Sequence, residues 1–109
     1  KAFGAEHPDV AGSLNNQALL YYNQGLYEQA EPLYQRTLEI REKAFGAEHP
    51  NVAASLNNLA LLYCNQGLYE QADPLYQRAL EIYEKALGAV HPSTKNVQDN
   101  YNDLLAKMK

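Results

Sequence analysis

The chain has 109 residues, 9 basic against 13 acidic, a formal net charge of −4 and a single cysteine. That balance leaves no basic patch of the kind phosphate-backbone recognition depends on, so nucleic acid is not an expected partner. Cys64 has no second cysteine with which to close an internal disulfide, and neither a signal-type apolar core nor an apolar run of spanning length occurs. The expectation is a cytoplasmic protein with no membrane association.

Lys1-Ala2-Phe3 opens the chain and matches Lys43-Ala44-Phe45 and Lys85-Ala86-Leu87 further along. Residues 1–3 therefore read as the tail of a preceding helix, and the chain as part of a longer array. Residues 4–45 and 46–87 then agree at 34 of 42 positions, and a third copy begins at Gly88-Ala89-Val90-His91-Pro92. A period of this length marks stacked supersecondary units, each resting on its neighbours, in place of one closed core.

Repeat 1 (4–45) is expected to hold helix A from Pro8 to Asn23 and helix B from Tyr27 to Phe45. Repeat 2 (46–87) shows the reasons most cleanly. Val52, Leu56, Leu59, Ala60 and Tyr63 fall on the 3.6-residue stripe of an amphipathic helix. Pro50 suits the first helical position, whose N–H has no intrahelical acceptor, and Gly67 closes the helix after Asn65-Gln66. Helix B runs from Tyr69 to Leu87 with Tyr69, Ala72, Tyr76, Ala79, Leu80 and Tyr83 inward; small Ala72 and Ala79 let the helices approach. Pro74 lies early in it, where few hydrogen bonds are lost, and Gly88 ends it. Residues 88–109 supply one more helix, about Pro92 to Lys107, in which Tyr101, Asn102 and Asp103 replace Leu59, Ala60 and Leu61. A terminal unit without a neighbour needs a polar outer face, so this segment reads as a C-terminal cap.

The ordered set Leu59-Ala60, Tyr63, Gly67, Tyr69, Ala72, Tyr76 and Ala79-Leu80 resembles the tetratricopeptide repeat, and Ala18, Tyr21, Gly25, Tyr27, Ala30, Tyr34 and Leu38 match it again. The 42-residue period, with His-Pro opening helix A and LNNLA inside it, is similar to the variant found in kinesin light chains. The resemblance implies an all-α, right-handed α-solenoid of antiparallel helix pairs: two repeats and a capping helix. It also implies a concave groove lined by helices A that holds extended peptides.

By the same resemblance a second stripe of helix A faces that groove. It comprises Asn57, Asn58, Leu61, Cys64 and Asn65 in repeat 2, Asn15, Asn16, Leu19, Tyr22 and Asn23 in repeat 1, and Asp99, Asn100 and Asp103 in the cap. Asparagine is about 0.6 kcal/mol worse than alanine in a helix, so consecutive pairs mid-helix need a reason. A carboxamide both donates and accepts, so a ladder of Asn16, Asn58 and Asn100 could hold a peptide backbone without reading its side chains. Alternatively one asparagine of each pair bonds a neighbouring helix and fixes the stacking; the second of each pair is the one assigned to the ligand. Leu19 and Leu61 add apolar surface there, or else pack on the next helix A. The change from Tyr22 to Cys64 would set the local pocket size.

Helices A of repeats 1 and 2 contain no Lys or Arg, which disfavours capture of a carboxylate or an acidic peptide. Asp99 and Asp103 favour a neutral or basic one, unless they only solubilise the cap. His7, His49 and His91 recur one repeat apart, too far to converge on a metal, and fit helix starts better. Cys64 has no histidine at nucleophile-pair spacing, and the six glycines form no phosphate cradle. No enzyme activity and no cofactor are expected. The expected function is a protein-interaction scaffold gripping an extended peptide. The alternatives are a homo-oligomer formed through the open N-terminal end and a sensor or spacer segment of a larger protein.

Overall fold

The computed structural model describes residues 7–109; the helix tail assigned to residues 1–3 and the start of repeat 1 lie outside them. Five helices follow one another among the described residues, α1 (Pro8–Asn23), α2 (Tyr27–Phe45), α3 (Pro50–Asn65), α4 (Tyr69–Leu87) and α5 (Pro92–Met108), with no strand. The first four have the expected bounds, and α5 runs one residue further. Helix α4, like α2, continues unbroken through its proline.

The three A helices share one start. The imidazole Nδ1 atoms of His7, His49 and His91 accept the backbone N–H of Asp9, Asn51 and Ser93, each at 3.0 Å. Each histidine holds extended backbone while the proline after it is already helical, so His-Pro acts as a capping device for an otherwise orphaned N–H. The repetition of histidine is thus accounted for by helix initiation. Helices B end on Gly46 and Gly88 with φ of +91° and +92° and ψ near 156° and 157°, a region essentially closed to residues with a Cβ.

Packing builds a stack 49 × 32 × 20 Å in extent. Helices α1 and α2 form one antiparallel hairpin and α3 and α4 the next, while α2 packs on α3 and α4 on α5. Fully buried Ala18, Ala30, Ala60, Ala72 and Ala79 keep the helices close, and Leu56, Leu62, Tyr76 and Ile82 fill the space between them. Helix α3 is covered on both sides and buries nine residues, whereas α1 buries only Ala11 and Ala18. The two copies differ most along one row. Ser55, Leu59 and Leu62 are buried against the preceding repeat, where Arg41 donates to Ser55 Oγ at 3.0 Å. Their equivalents Ser13, Gln17 and Leu20 are exposed, with Leu20 at 55% and Leu62 at 0%.

Hydrogen-bonded triangles lock each helix B to the next helix A. Tyr63 donates its hydroxyl to Glu31 Oε2 at 3.1 Å, and Gln35 Nε2 donates to both Glu31 and the tyrosine oxygen. One repeat on, Tyr101 donates to Asp73 Oδ1 at 2.6 Å and Gln77 completes the figure. Yet Tyr101 does not correspond to Tyr63; it stands one helical turn earlier, at the position of Leu59. Its ring packs 5.8 Å from that of Tyr76. Reading Tyr101 as part of a polar outer surface is therefore corrected: it is half-buried and fastens the cap, and polarity belongs to Asn102 and Asp103, which are exposed.

Candidate functional site

Consecutive A helices are joined by side chains from the candidate stripe. Asn58 Nδ2 donates to Asn15 Oδ1 at 3.2 Å, and Asn100 Nδ2 donates to Asn57 Oδ1, also at 3.2 Å. The rule is the same at both junctions: the second asparagine of one unit reaches back to the first of the unit before. Asn57, the central first asparagine, is only 8% exposed, because α5 covers it. In both complete repeats the second asparagine is the more exposed of its pair. In the cap the order reverses: Asp99 is exposed, with no further A helix among the described residues to reach back to it, and Asn100 is half-buried. Repeat stacking therefore does use the asparagine pairs, as the alternative reading of them held. Each of those carboxamides still has capacity left, since one bond uses one of two N–H donors on one partner and one of two lone pairs on the other.

A second link uses the end of the stripe. Asn65 Nδ2 donates to the Tyr22 hydroxyl at 2.7 Å and to the Leu61 carbonyl at 2.9 Å. Tyr22, half-buried, also packs against Tyr27 with ring centroids 5.6 Å apart. Between α3 and α5 the corresponding space is open: a cleft of about 90 Å³ is lined by Leu61, Cys64 and Asn65 of α3, Tyr76 of α4, and Asn100, Asp103, Leu104 and Lys107 of α5. The structure thus brings five of the candidate residues, Leu61, Cys64, Asn65, Asn100 and Asp103, to one place. Asn16, Leu19, Asn23 and Asp99 are exposed elsewhere along the stripe, outside that cleft.

Three residues of the cleft are not foreseen by the stripe: Leu104, a buried residue of α5, and the polar groups of Tyr76 and Lys107. Tyr76 belongs to the core stripe of helix B, but its hydroxyl emerges between the A helices, where it accepts the Cys64 thiol at 3.9 Å. Lys107 lies in the last turn of α5, beside Asp103 on the same helix face. The absence of cations from α1 and α3 is thus not the absence of a cation from this surface. The equivalence of Lys107 with Asn65 of the stripe would have indicated Lys107.

Burial raises the Tyr76 phenol well above its ordinary value, with Cys64 adding to the effect, and raises Tyr34 to about 12, with Tyr22 contributing. Burial likewise raises Tyr22, partly opposed by the bond from Asn65. The Cys64 thiol is pushed up by burial, and only partly drawn back by Tyr76 and Lys107. These groups are neutral hydrogen-bonding and packing surfaces near pH 7, and Cys64 is a poor nucleophile there.

A stack of antiparallel helix pairs, each fastened to the next by asparagine pairs and tyrosine–carboxylate bonds, defines a helical repeat scaffold. The model of the tetratricopeptide repeat matches residues 9–85 and again 52–109, and the chain belongs to that family, in its kinesin light chain-like form. Among solved structures, BtubC (BKLC) from P. vanneervenii is similar over 93% of this chain and 40% of its own length, with 27% identity and a TM-score of 0.85. A Podosopora anserina protein, assigned as a kinesin light chain with nearly identical TPR-like repeats, is similar over 94% of this chain and 49% of its own, with 28% identity and a TM-score of 0.86. The chain spans half or less of the length of either structure. No match was found among curated proteins. Tetratricopeptide repeats generally mediate protein–protein interaction, and the scaffold is typically non-enzymatic. Among the described residues no helix is long and apolar enough to cross a membrane.

Proposed function

We propose that the chain is an interaction scaffold holding an extended, neutral or basic peptide along α1, α3 and α5. The observation that carries this reading is the convergence of Leu61, Cys64, Asn65, Asn100 and Asp103 on one accessible cleft. Asn58 contributes next to it. Its bond to Asn15 fixes the carboxamide and leaves the oxygen and one N–H for a peptide unit. Asp99 and Asp103 outweigh Lys107, which supports the charge preference. Peptides selected from a displayed random library against the chain are expected to bind Asn58→Ala roughly tenfold more weakly, with helical circular dichroism preserved. Equal binding to the variant would remove asparagine from the mechanism.

The row Ser13, Gln17 and Leu20 favours a second reading. It is exposed where the same row of repeat 2 is buried, so a second copy could cover it and make a homo-oligomer. Sedimentation over a concentration series is then expected to show a dimer that Leu20→Glu dissolves; a monomer at every concentration ends that reading.

A further inference from the structure

Helix α1 carries the fasteners by which α3 docks on the repeat before it. Tyr21 repeats Tyr63, whose hydroxyl meets Glu31 and Gln35 of α2, and Asn16 repeats Asn58, which reaches back to Asn15. Beside them a hollow of about 280 Å³ is lined by Asp9, Val10, Ser13, Leu14 and Gln17. The residues equivalent to the last four, Val52, Ser55, Leu56 and Leu59, are all buried in repeat 2. The hollow thus matches a surface that a helix B covers one repeat later. The chain has a second helix B of the right kind. Helix α4 repeats Gln35 and Leu38 of α2 as Gln77 and Leu80, and keeps a carboxylate, Asp73, where α2 has Glu31. Its occupant is α5, held by a substitute: Tyr101, one turn out of register, donates to Asp73 at 2.6 Å and accepts from Gln77 at 3.0 Å. At the true position of Tyr63, α5 has Leu105, which is 39% exposed.

We infer that this surface of α1 docks on α4 of a second copy, in the place of that copy's α5, so that copies associate head to tail. Tyr21 then donates to Asp73 beside Gln77, and Asn16 takes over from Asn100 as the donor to Asn57. Such a contact is heterologous: it joins two different faces and leaves one of each free, so addition can repeat. It requires α5 to leave, and α5 packs on α4 and lightly on α3, with no helix beyond it among the described residues. Two differences keep the association weak. Gln17 stands where α3 has Leu59 and buries a carboxamide on docking, and Tyr83 stands where α2 has Arg41, so the bond to Ser55 has no counterpart at Ser13. The inference rests on the homo-oligomer reading and adds to it which face of the second copy is used and which helix must vacate it.

Leu20→Glu blocks the docking face of α1 and leaves α4 intact, which separates the ways a second copy could sit. A full chain with this substitution, labelled at its N-terminus, is sedimented alone and with an excess of unlabelled, unaltered chain. Alone it is expected to stay monomeric. With the excess it is expected to sediment as a dimer, because its α4 still receives α1 of an unaltered copy. Tyr101→Phe, added to the labelled chain, loosens α5 and should tighten that heterodimer about tenfold, as befits a lost hydrogen bond to a carboxylate. Gln17→Leu in the unlabelled chain should tighten it by a similar factor. A labelled chain that stays monomeric while the unlabelled chain dimerises would overturn the head-to-tail contact and keep the homo-oligomer reading, with α1 then paired to α1. Indifference of the heterodimer to Tyr101→Phe or to Gln17→Leu would also overturn the contact, since each acts on one of its two faces. An unaltered chain that is monomeric at every concentration ends both readings.

Discussion

Leu62→Ala is expected to lower the unfolding free energy by about 3 kcal/mol, and Leu20→Ala by no more than about 0.5 kcal/mol, although the two leucines occupy the same repeat position. Leu62 is fully buried on the side of α3 that Ser55 and Leu59 share, facing α2, whereas Leu20 is 55% exposed. Removing three carbons from Leu62 forfeits their transfer out of water and leaves a void between close-packed helices. At Leu20 the same truncation exchanges one solvated surface for another. A domain of this size is typically stable by roughly 5–10 kcal/mol, so the first change removes a large share of the total. Urea denaturation of the two variants in parallel measures the contrast, and equal losses would show that Leu62 does not carry the junction between repeats.

Gly88→Ala should cost about 2 kcal/mol, because φ of +92° with ψ of 157° lies where a Cβ is strained against its own backbone. No neighbouring atom lies within 4 Å of the Cβ that would be added, so backbone strain alone sets the cost. Gly12→Ala inverts the sign. It lies inside α1, where repeat 2 has Ala54, and its added Cβ also meets nothing within 4 Å. A gain of about 0.5–1 kcal/mol is expected there. Both substitutions restrict the unfolded chain equally, so the opposite signs isolate the native backbone conformation. Thermal melts of the two variants check this, and a stabilised Gly88→Ala would refute the assignment of that glycine as an obligatory helix stop.

Helix limits are legible in this sequence almost to the residue because each is written in local chemistry: His-Pro at the A starts, Asn-Gln-Gly at the A ends, glycine after each B helix. Burial was legible where the 3.6-residue stripe ran through Leu56, Tyr76 and Ala72. What escaped depends on contacts between repeats. Tyr101 looked like a polar replacement for Leu59, since nothing local says that its hydroxyl reaches Asp73 from one turn away. The asparagine pairs were ambiguous by their chemistry, as a carboxamide that suits a peptide also suits another carboxamide, and only the stacking distance shows Asn58 meeting Asn15. Tyr76 was missed because a helix wheel assigns each side chain to one face, whereas a long side chain has its root on one face and its tip on another; Lys107, at the repeat position of Asn65, was legible from the register.

The burial of α3 on both sides, against the thin cover of α1 and α5, sets an order of opening. In a linear stack each unit is stabilised by its own fold and by its nearest neighbours, so within the described residues a helix packed on one side can detach while one packed on both stays in place. Releasing α5 breaks one triangle and uncovers Asn57; releasing α1 breaks the bonds to Asn58 and Asn65. Helix α3 has no such partial route, because freeing it means giving up both junctions together. Its amides are therefore expected to exchange with solvent more slowly than those of α1 and α5, and α3 acts as the keystone of the described stack.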